Sequence, residues 1–479
     1  MKSIQQLEII ARQLEPDSHE RHAALDKASR YIDEFILALP GMPSYQQGGL
    51  TMLESFKIEE DGKPLEDLLN ILREEVDRVG INTASGGHLG FIPGGGLQMS
   101  AIADMLTAAT NRYSGISYSS PGAVKLENQL IDWLSSVIGY PSEAYGNLTS
   151  GGSIASLIAI KAARDFYSIN ADTVKQSVIY FSEQMHHCML KAFTITGLHE
   201  AVLRKIPLNE SYQMDLDALN DQLEADVEAG LDPFLIVGSA GTTDTGAIDP
   251  LDEIADLCEQ FDAWFHVDAA YGGFFMLVDE LRQKFKGIER SDSVTLDPHK
   301  TLFLPYGSGA VLIRDRKRLV NSFSQSASYM RDSYVMDDIS PADVSPELTR
   351  HFRGLRMWLP LHLHGLKPFR ANLLEKHLLC RHFHQSLASK GFEVGPEPSL
   401  SVAIFRVPGD NILSQRLLER ILKDGRIFMT STTIEGKLWI RCAIVSHRTH
   451  LQEVDLALRL IEENVGCEKP CVERAVGCA

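Results

Sequence analysis

Lys300 stands directly behind an Asp-Pro-His triplet, just after the apolar run SVTL of residues 293–296. An ammonium carried into an apolar pocket loses its proton readily and becomes a nucleophilic amine able to form a Schiff base, whereas an isolated lysine after a strand is ordinarily a surface residue. Asp268 follows a second such run, AWFHV, among Phe265, Val267, Ala269 and Ala270. A carboxylate there is costly unless a cation partners it, and a plain salt bridge is one solution. Upstream, TSGGSIASLIAIKAARD passes from a Gly-rich turn straight into an apolar helix. Gly151 and Gly152 let the backbone curl closely round a ligand, Ser150 and Ser153 supply hydroxyls, and the first free N–H groups of the helix face whatever sits there. Alone, such a start is an N-cap; beside an acid and an amine it reads as a phosphate cradle. It has neither the P-loop nor the GxGxxG spacing, which argues against nucleoside triphosphates and dinucleotides. A phosphate anchor, an acid for a ring nitrogen and an amine for an aldehyde together answer to pyridoxal 5′-phosphate (PLP). His186, after the run SVIYF, is either an aromatic plane for the cofactor ring or a polar loop residue.

These residues need elements that deliver them to one place. SVIYF (177–181), PFLIV (233–237), AWFHV (263–267) and SVTL (293–296) are β-branched and aromatic, and the segments between them are long enough for crossover helices. That pattern predicts an α/β fold with a mostly parallel sheet covered by helices on both faces. In such sheets ligands bind beyond the carboxyl ends of the strands, where His186, His187, Thr242, Thr243, Asp268 and Lys300 all fall. Residues 1–83 read as a helical N-terminal segment: Leu7, Ile10 and Leu14, then Leu68, Leu69, Leu72, Val76 and Val79, recur at helical spacing, with the Pro/Gly-rich break PGMPSYQQGG between them. It forms either a subdomain of its own or a helix pair that docks on a second subunit. Residues 84–358 form the expected cofactor domain. Residues 359–479, with SVAIFRV, ILSQRLLERILKDG, KLWIRCAIV and a last helix from Leu451, form a small α+β domain.

With 479 residues, 44% of them hydrophobic, the chain is long enough for two or three domains. A formal net charge of −18 and no basic block argue against nucleic acid and anionic membrane surfaces as partners. No signal-peptide core and no membrane-length apolar stretch is present, so a cytoplasmic protein is expected. Seven cysteines spread over this length are expected to be reduced thiols, and the tail CEKPCVERAVGC matches no zinc spacing.

The stretches SPGAVKLENQLIDWL, TSGGSIASLIAIKAARD, SEQMHHCMLKA, GSAGTTDTGAIDP, WFHVDAAYGG, SDSVTLDPHK and FRGLRMW closely resemble, and in the same order, those of the PLP-dependent group II amino-acid decarboxylases. That family includes aromatic-amino-acid, histidine, glutamate and cysteine-sulfinate decarboxylases, and the likeness runs from about residue 84 to the end. The 32-residue separation of Asp268 from Lys300 is its most specific part. The resemblance implies an aspartate-aminotransferase-type (fold type I) homodimer with active sites at the subunit interface. It also implies that Lys300 carries the cofactor, Asp268 pairs with the pyridinium nitrogen, His186 stacks on the ring and Thr243 lies near the 3′-oxygen. Gly152, Ser153, Ser293 and His299 match positions that hold the phosphate.

One position departs from the family, in which a loop tyrosine protonates the carbanion left by decarboxylation. An ungapped count back from FRGLRMW puts Pro341 opposite that tyrosine, and a neighbouring register puts Val344 there. Neither can donate a proton. Tyr329 and Tyr334 lie earlier in the segment, and Tyr334 or His187 is the expected donor. Where the tyrosine is replaced by a non-donor, relatives give aldehyde, ammonia and hydrogen peroxide. Oxidative deamination is therefore the alternative to simple decarboxylation, with transamination or carbon–carbon lysis on the same fold, and an inactive dimer-forming protein, as further readings. For the substrate, an L-amino acid with an aromatic side chain is favoured over an acidic one. Phe91, in GGHLGFIPGGG, could face an aromatic side chain or belong to the core, and Arg441, in KLWIRCAIV, could meet a substrate carboxylate or be structural.

Overall fold

The computed structural model describes residues 3–49, 53–92, 94–324 and 339–465. Seven strands form the main sheet: β1 (Tyr145–Thr149), β2 (Ser177–Ser182), β3 (Val202–Ile206), β4 (Asp232–Ser239), β5 (Trp264–Asp268), β6 (Ser293–Leu296) and β7 (Gly309–Ile313). They lie side by side in the order β1-β7-β6-β5-β4-β2-β3. β7 runs antiparallel to both β1 and β6, and the other pairs are parallel. Every residue of β1, β2, β6 and β7 is buried, as expected of strands with helices over both faces. β3, at the edge, alternates between exposed and half-buried residues. The chain runs outward from β2 to β3, then crosses back to β4 and continues through β5 and β6. This reversal makes a topological switch point beside the carboxyl end of β2.

The helix Gly152–Phe166 packs on the side of this sheet formed by β1, β7 and β6. Its buried face consists of Ala155, Ser156, Ile158, Ala159, Ile160, Ala162 and Ala163, and these mostly small residues let the helix approach the strands closely. A second, antiparallel sheet carries β8 (Glu393–Val394), β9 (Val402–Arg406), β10 (Thr430–Ile434) and β11 (Lys437–Ala443) in the order β8-β9-β11-β10. Helices Leu366–Ser389, Asn411–Asp424 and Leu451–Val465 pack with it around their own core, which includes Phe383, Phe405, Ile421, Ile440 and Ile461. Leu89 joins that core from the Gly-rich segment, bonding through its backbone to Phe428 and Ala443.

Helices Ile4–Ala11 and Ser18–Ala38 bury none of their residues, and Ile4, Leu7, Ile10, Leu14 and Leu37 are exposed. Among the described residues, no helix is long and apolar enough to cross a membrane. Cys188, Cys258, Cys380 and Cys442 are free and buried, and the three tail cysteines lie outside the described residues.

A buried ionic network holds the chain just before helix Leu355–His364 against the main sheet. Glu127 Oε1 accepts from the backbone N–H groups of Arg353 and Gly354, each at 2.9 Å, and Oε2 pairs with Arg350, whose other arm donates to Asn147 Oδ1 at 2.7 Å. The side chain of Arg350 is 0% exposed. Arg350→Met removes the cation and leaves the Glu127 carboxylate buried, so it is expected to lower stability by roughly 3–5 kcal/mol, read as a lower urea midpoint at unchanged m.

The two residues of the ungapped register lie a few positions before this network. Pro341 and Val344 form a short buried turn capped by Ser340 and Asp343; Val344 is 0% exposed in the main core, and Ala342 N–H donates to the Gly115 carbonyl. Apolar packing holds both residues in the interior, and neither side chain has a proton to donate. Tyr329 and Tyr334 lie outside the described residues.

Candidate active site

The carboxyl ends of β2, β4, β5 and β6 and the start of helix Gly152–Phe166 converge on a cavity of about 340 Å³. Its walls include Ser150, Gly151, Gly152 and Ser153 from the helix start and Gln184, His186 and Cys188 after β2. Thr242 and Thr243 come from the loop after β4, Asp268 from the end of β5, and Asp297, His299 and Lys300 from the turn after β6. The strands deliver these groups because each apolar run ends where its polar residue begins.

Lys300 lies on the one-turn helix Pro298–Thr301, with its Nζ 3.0 Å from Asp297 Oδ2. Burial alone would pull its pKa down, but the Asp297 and Asp268 carboxylates outweigh burial and hold it above the ordinary lysine value. The expectation that desolvation frees the amine of its proton is therefore corrected: two anions retain the proton. Asp268 is half-buried, and its Oδ1 accepts from the Ala270 N–H at 3.1 Å. Nδ1 of His299 contacts the Ser308 carbonyl at 2.5 Å, so that nitrogen carries the proton, and its Nε2 lies 3.8 Å from Asp297 Oδ2. Nδ1 of His186 accepts from the Cys188 N–H at 3.3 Å, which leaves Nε2 as the protonated nitrogen of the neutral ring. Burial lowers the pKa of His186, and burial together with the Asp268 carboxylate pushes the Cys188 thiol up to about 12.

The residues fit PLP on the structure's own terms. Gly151, at φ +150°, and Gly152 leave an open curl at the helix start; a Cβ on Gly152 would lie 2.9 Å from Asp297 Oδ2. Asp297 Oδ1 and Gln184 Nε2, both buried, have no hydrogen-bond partner among the described residues. An anion cradle, a carboxylate and a primary amine thus share one enclosed space, which is the donor set that PLP requires.

Of the residues singled out in the sequence, Gly151, Gly152, Ser153, His186, Thr243, Asp268, His299 and Lys300 line this cavity. Ser293 does not: it is 0% exposed at the start of β6, and its hydroxyl bonds to Trp264 Nε1 and His266 Nδ1, each at 2.8 Å. It lies at the amino end of β6, away from the cavity, and these two bonds leave it no free hydroxyl for a phosphate. Arg441 is also absent from the cavity walls. Buried in β11, it donates to Thr430 Oγ1 at 2.8 Å, to the Asp244 carbonyl at 3.1 Å and to the Thr243 carbonyl, which is the structural alternative for this residue. Phe91 is exposed at φ +51°, its ring 5.8 Å from Phe428 and 6.4 Å from His88, and it does not line the cavity of this chain. The Gly-rich segment around it has a packing reason as well: a Cβ on Gly94 would overlap the carbonyls of His299 and Lys300.

Asp297, Gln184 and Cys188 were missed. The signal for Asp297 was available, because a residue three positions before Lys300 across a helix start shares its face. Gln184 is found through its neighbours, since its Oε1 accepts from the Thr242 and Thr245 hydroxyls at 2.7 Å each, a pairing no local pattern reveals.

Residues 52–408 match the family model described as "Pyridoxal-dependent decarboxylase conserved domain". An aromatic-L-amino-acid decarboxylase of Bacillus atrophaeus is 32% identical over 87% of this chain and 89% of its own. A phenylacetaldehyde synthase of Arabidopsis thaliana is 26% identical over 92% of this chain and 94% of its own. The solved structure of Oryza sativa TDC with PLP and tryptamine superposes with a TM-score of 0.89 at 25% identity, covering 94% of this chain and 98% of that one. With a family match over most of its length and a cavity whose polar walls suit the cofactor, the chain belongs to the pyridoxal-dependent decarboxylase family and is a PLP-dependent amino-acid decarboxylase of fold type I.

Proposed function

We propose that this decarboxylase removes carbon dioxide from an aromatic L-amino acid and releases the amine, working as a cytoplasmic homodimer. The observation that carries the substrate class is the 32% identity to an aromatic-L-amino-acid decarboxylase. The fate of Arg441 supports it, since the arginine that could have received an acidic substrate is committed to the Thr243 and Asp244 carbonyls. The dimer rests on helices Ile4–Ala11 and Ser18–Ala38, which leave their apolar side chains uncovered in the single chain. In this reading residues 1–83 form the dimer arm, 84–358 the cofactor domain and 359–479 the small domain.

When bound, PLP supplies the electron sink for the pair left at Cα as carbon dioxide departs. The chain's own residues do the rest. Lys300 holds the cofactor through its amine, and Asp268 keeps a proton at the ring nitrogen. The turn Ser150–Ser153 and the His299 side chain would hold the phosphate, and Thr243 would stand near the 3′-oxygen. His186, neutral and with its Nδ1 occupied, would pack its plane on the ring and keep the Nε2 proton as a donor. Tyr334 is the proposed proton donor to Cα. A second reading, oxidative deamination to the aldehyde, is favoured by the phenylacetaldehyde synthase among the relatives.

The test is incubation of PLP-loaded protein with tryptophan, tyrosine, phenylalanine, histidine and glutamate, following carbon dioxide, amine and hydrogen peroxide together. Amine and carbon dioxide in equal amounts from an aromatic substrate, without peroxide, is the expected result. Peroxide in step with carbon dioxide establishes the second reading. Turnover of glutamate alone sinks the aromatic assignment.

A further inference from the structure

Asp297 is a buried carboxylate with no structural work of its own. It precedes the helix Pro298–Thr301 at the N-cap position, yet its side chain makes no cap hydrogen bond. The side chain is 3% exposed; Oδ1 has no hydrogen-bond partner among the described residues, and Oδ2 lies 3.0 Å from Lys300 Nζ. The absence of a side chain at Gly152 leaves room for it. Leaving a carboxylate this poorly satisfied in an interior is destabilising unless a cation compensates, and the lysine is the cation it faces.

We propose that Asp297 is a positioning residue for Lys300: it fixes Nζ as an ammonium in the cofactor-free chain and accepts the proton when the amine is needed as a nucleophile. This inference rests on the reading of Lys300 as the cofactor lysine. In the transfer an N–H bond of the ammonium breaks and an O–H bond forms at Asp297 Oδ2. The nitrogen keeps the electron pair that will bond to carbon, and nothing is oxidised or reduced.

The titratable groups facing Lys300 come from four elements: Asp297 and His299 beside it, Asp268 from β5, His186 from the loop after β2, and Cys188 from the helix that follows. Against the burial that depresses the lysine, Asp297 is the leading opposing charge, ahead of Asp268, and it alone is also hydrogen-bonded to the amine. Burial keeps His186 neutral and the Cys188 thiol protonated, so neither carries charge at neutral pH.

The test uses the full-length, cofactor-free protein acylated with acetic anhydride over a pH series, with the Lys300 peptide quantified by mass spectrometry. Asp297→Asn is expected to lower the midpoint of Lys300 labelling by at least about one pH unit, so that roughly tenfold more free amine is present at neutral pH. The labelling rate at high pH should stay unchanged, and Asp297→Glu should restore part of the midpoint. An unmoved midpoint overturns the proposal, and so does a changed limiting rate without a midpoint shift, because that reports only a loosened site. The reading beneath it fails separately: it falls if a Lys300→Ala protein still retains the cofactor's visible absorbance after desalting.

Discussion

Lys300→Ala is expected to reduce decarboxylation by on the order of 10⁴-fold or more and to abolish retention of PLP through gel filtration. The reason is the lysine's placement: among the described residues lining the cavity, it is the sole primary amine. Lys376 is fully buried elsewhere, tied to Glu375 at 2.8 Å and to the Thr449 carbonyl, and Lys161 is paired with Asp165 at 2.6 Å. Neither can stand in. Lys300→Arg should rescue nothing, because a guanidinium does not give up its proton and cannot attack a carbonyl carbon. Lys300→Arg keeps a cation beside Asp297, whereas Lys300→Ala leaves that buried carboxylate uncompensated and should show a lower urea midpoint, so both are assayed where circular dichroism shows them folded. The check is the visible spectrum after desalting together with kcat on the substrate identified by the panel. A Lys300→Ala protein that keeps its cofactor and a rate within tenfold of the parent would place the reactive amine elsewhere.

The second large effect is expected at Asp268. An amide is uncharged, so Asp268→Asn loses the anion proposed to hold a proton at the ring nitrogen, and kcat should fall by roughly 10²–10³-fold. KM should change little, because the carboxylate acts on the electron sink rather than on substrate binding. Asp268→Asn keeps an oxygen able to accept from the Ala270 N–H, so the backbone at the end of β5 should hold. The measurement is a kcat and KM pair for both proteins, and a kcat within threefold of the parent would remove Asp268 from the chemistry.

The legible parts of this molecule were those in which a local pattern and a global role coincide. SVIYF, PFLIV, AWFHV and SVTL were readable as strands because strands buried on both faces become continuous apolar runs, and they appear as β2, β4, β5 and β6. β1, with the sequence YGNLT, carries Asn147 at its centre, whose oxygen is satisfied by Arg350 203 residues away, and no reading of neighbours foresees such a partner. β3 and β10 are edge strands, the first interrupted by Arg204 and Lys205 and the second mostly Ser and Thr, so their apolar signal is diluted. In the site, residues recognisable by type and position, such as Asp268 and Lys300, were found. Ser293 was misplaced because it opens β6, at the end of the strand away from the cavity, and because its hydroxyl is taken by Trp264 and His266, partners that no local pattern reveals. Arg441 was ambiguous for the same reason, since its partners sit on a loop 197 and 198 residues earlier.

That last pairing has a bearing on how such enzymes diverge. Arg441 belongs to the small sheet, but its hydrogen bonds end on the backbone that presents Thr243 to the cavity. The small sheet is therefore no interchangeable cassette: a chimaera that takes its C-terminal third from a relative inherits a foreign setting of the loop after β4. A change at position 441 therefore reaches the cavity through the 243–244 backbone, without Arg441 itself lining the walls.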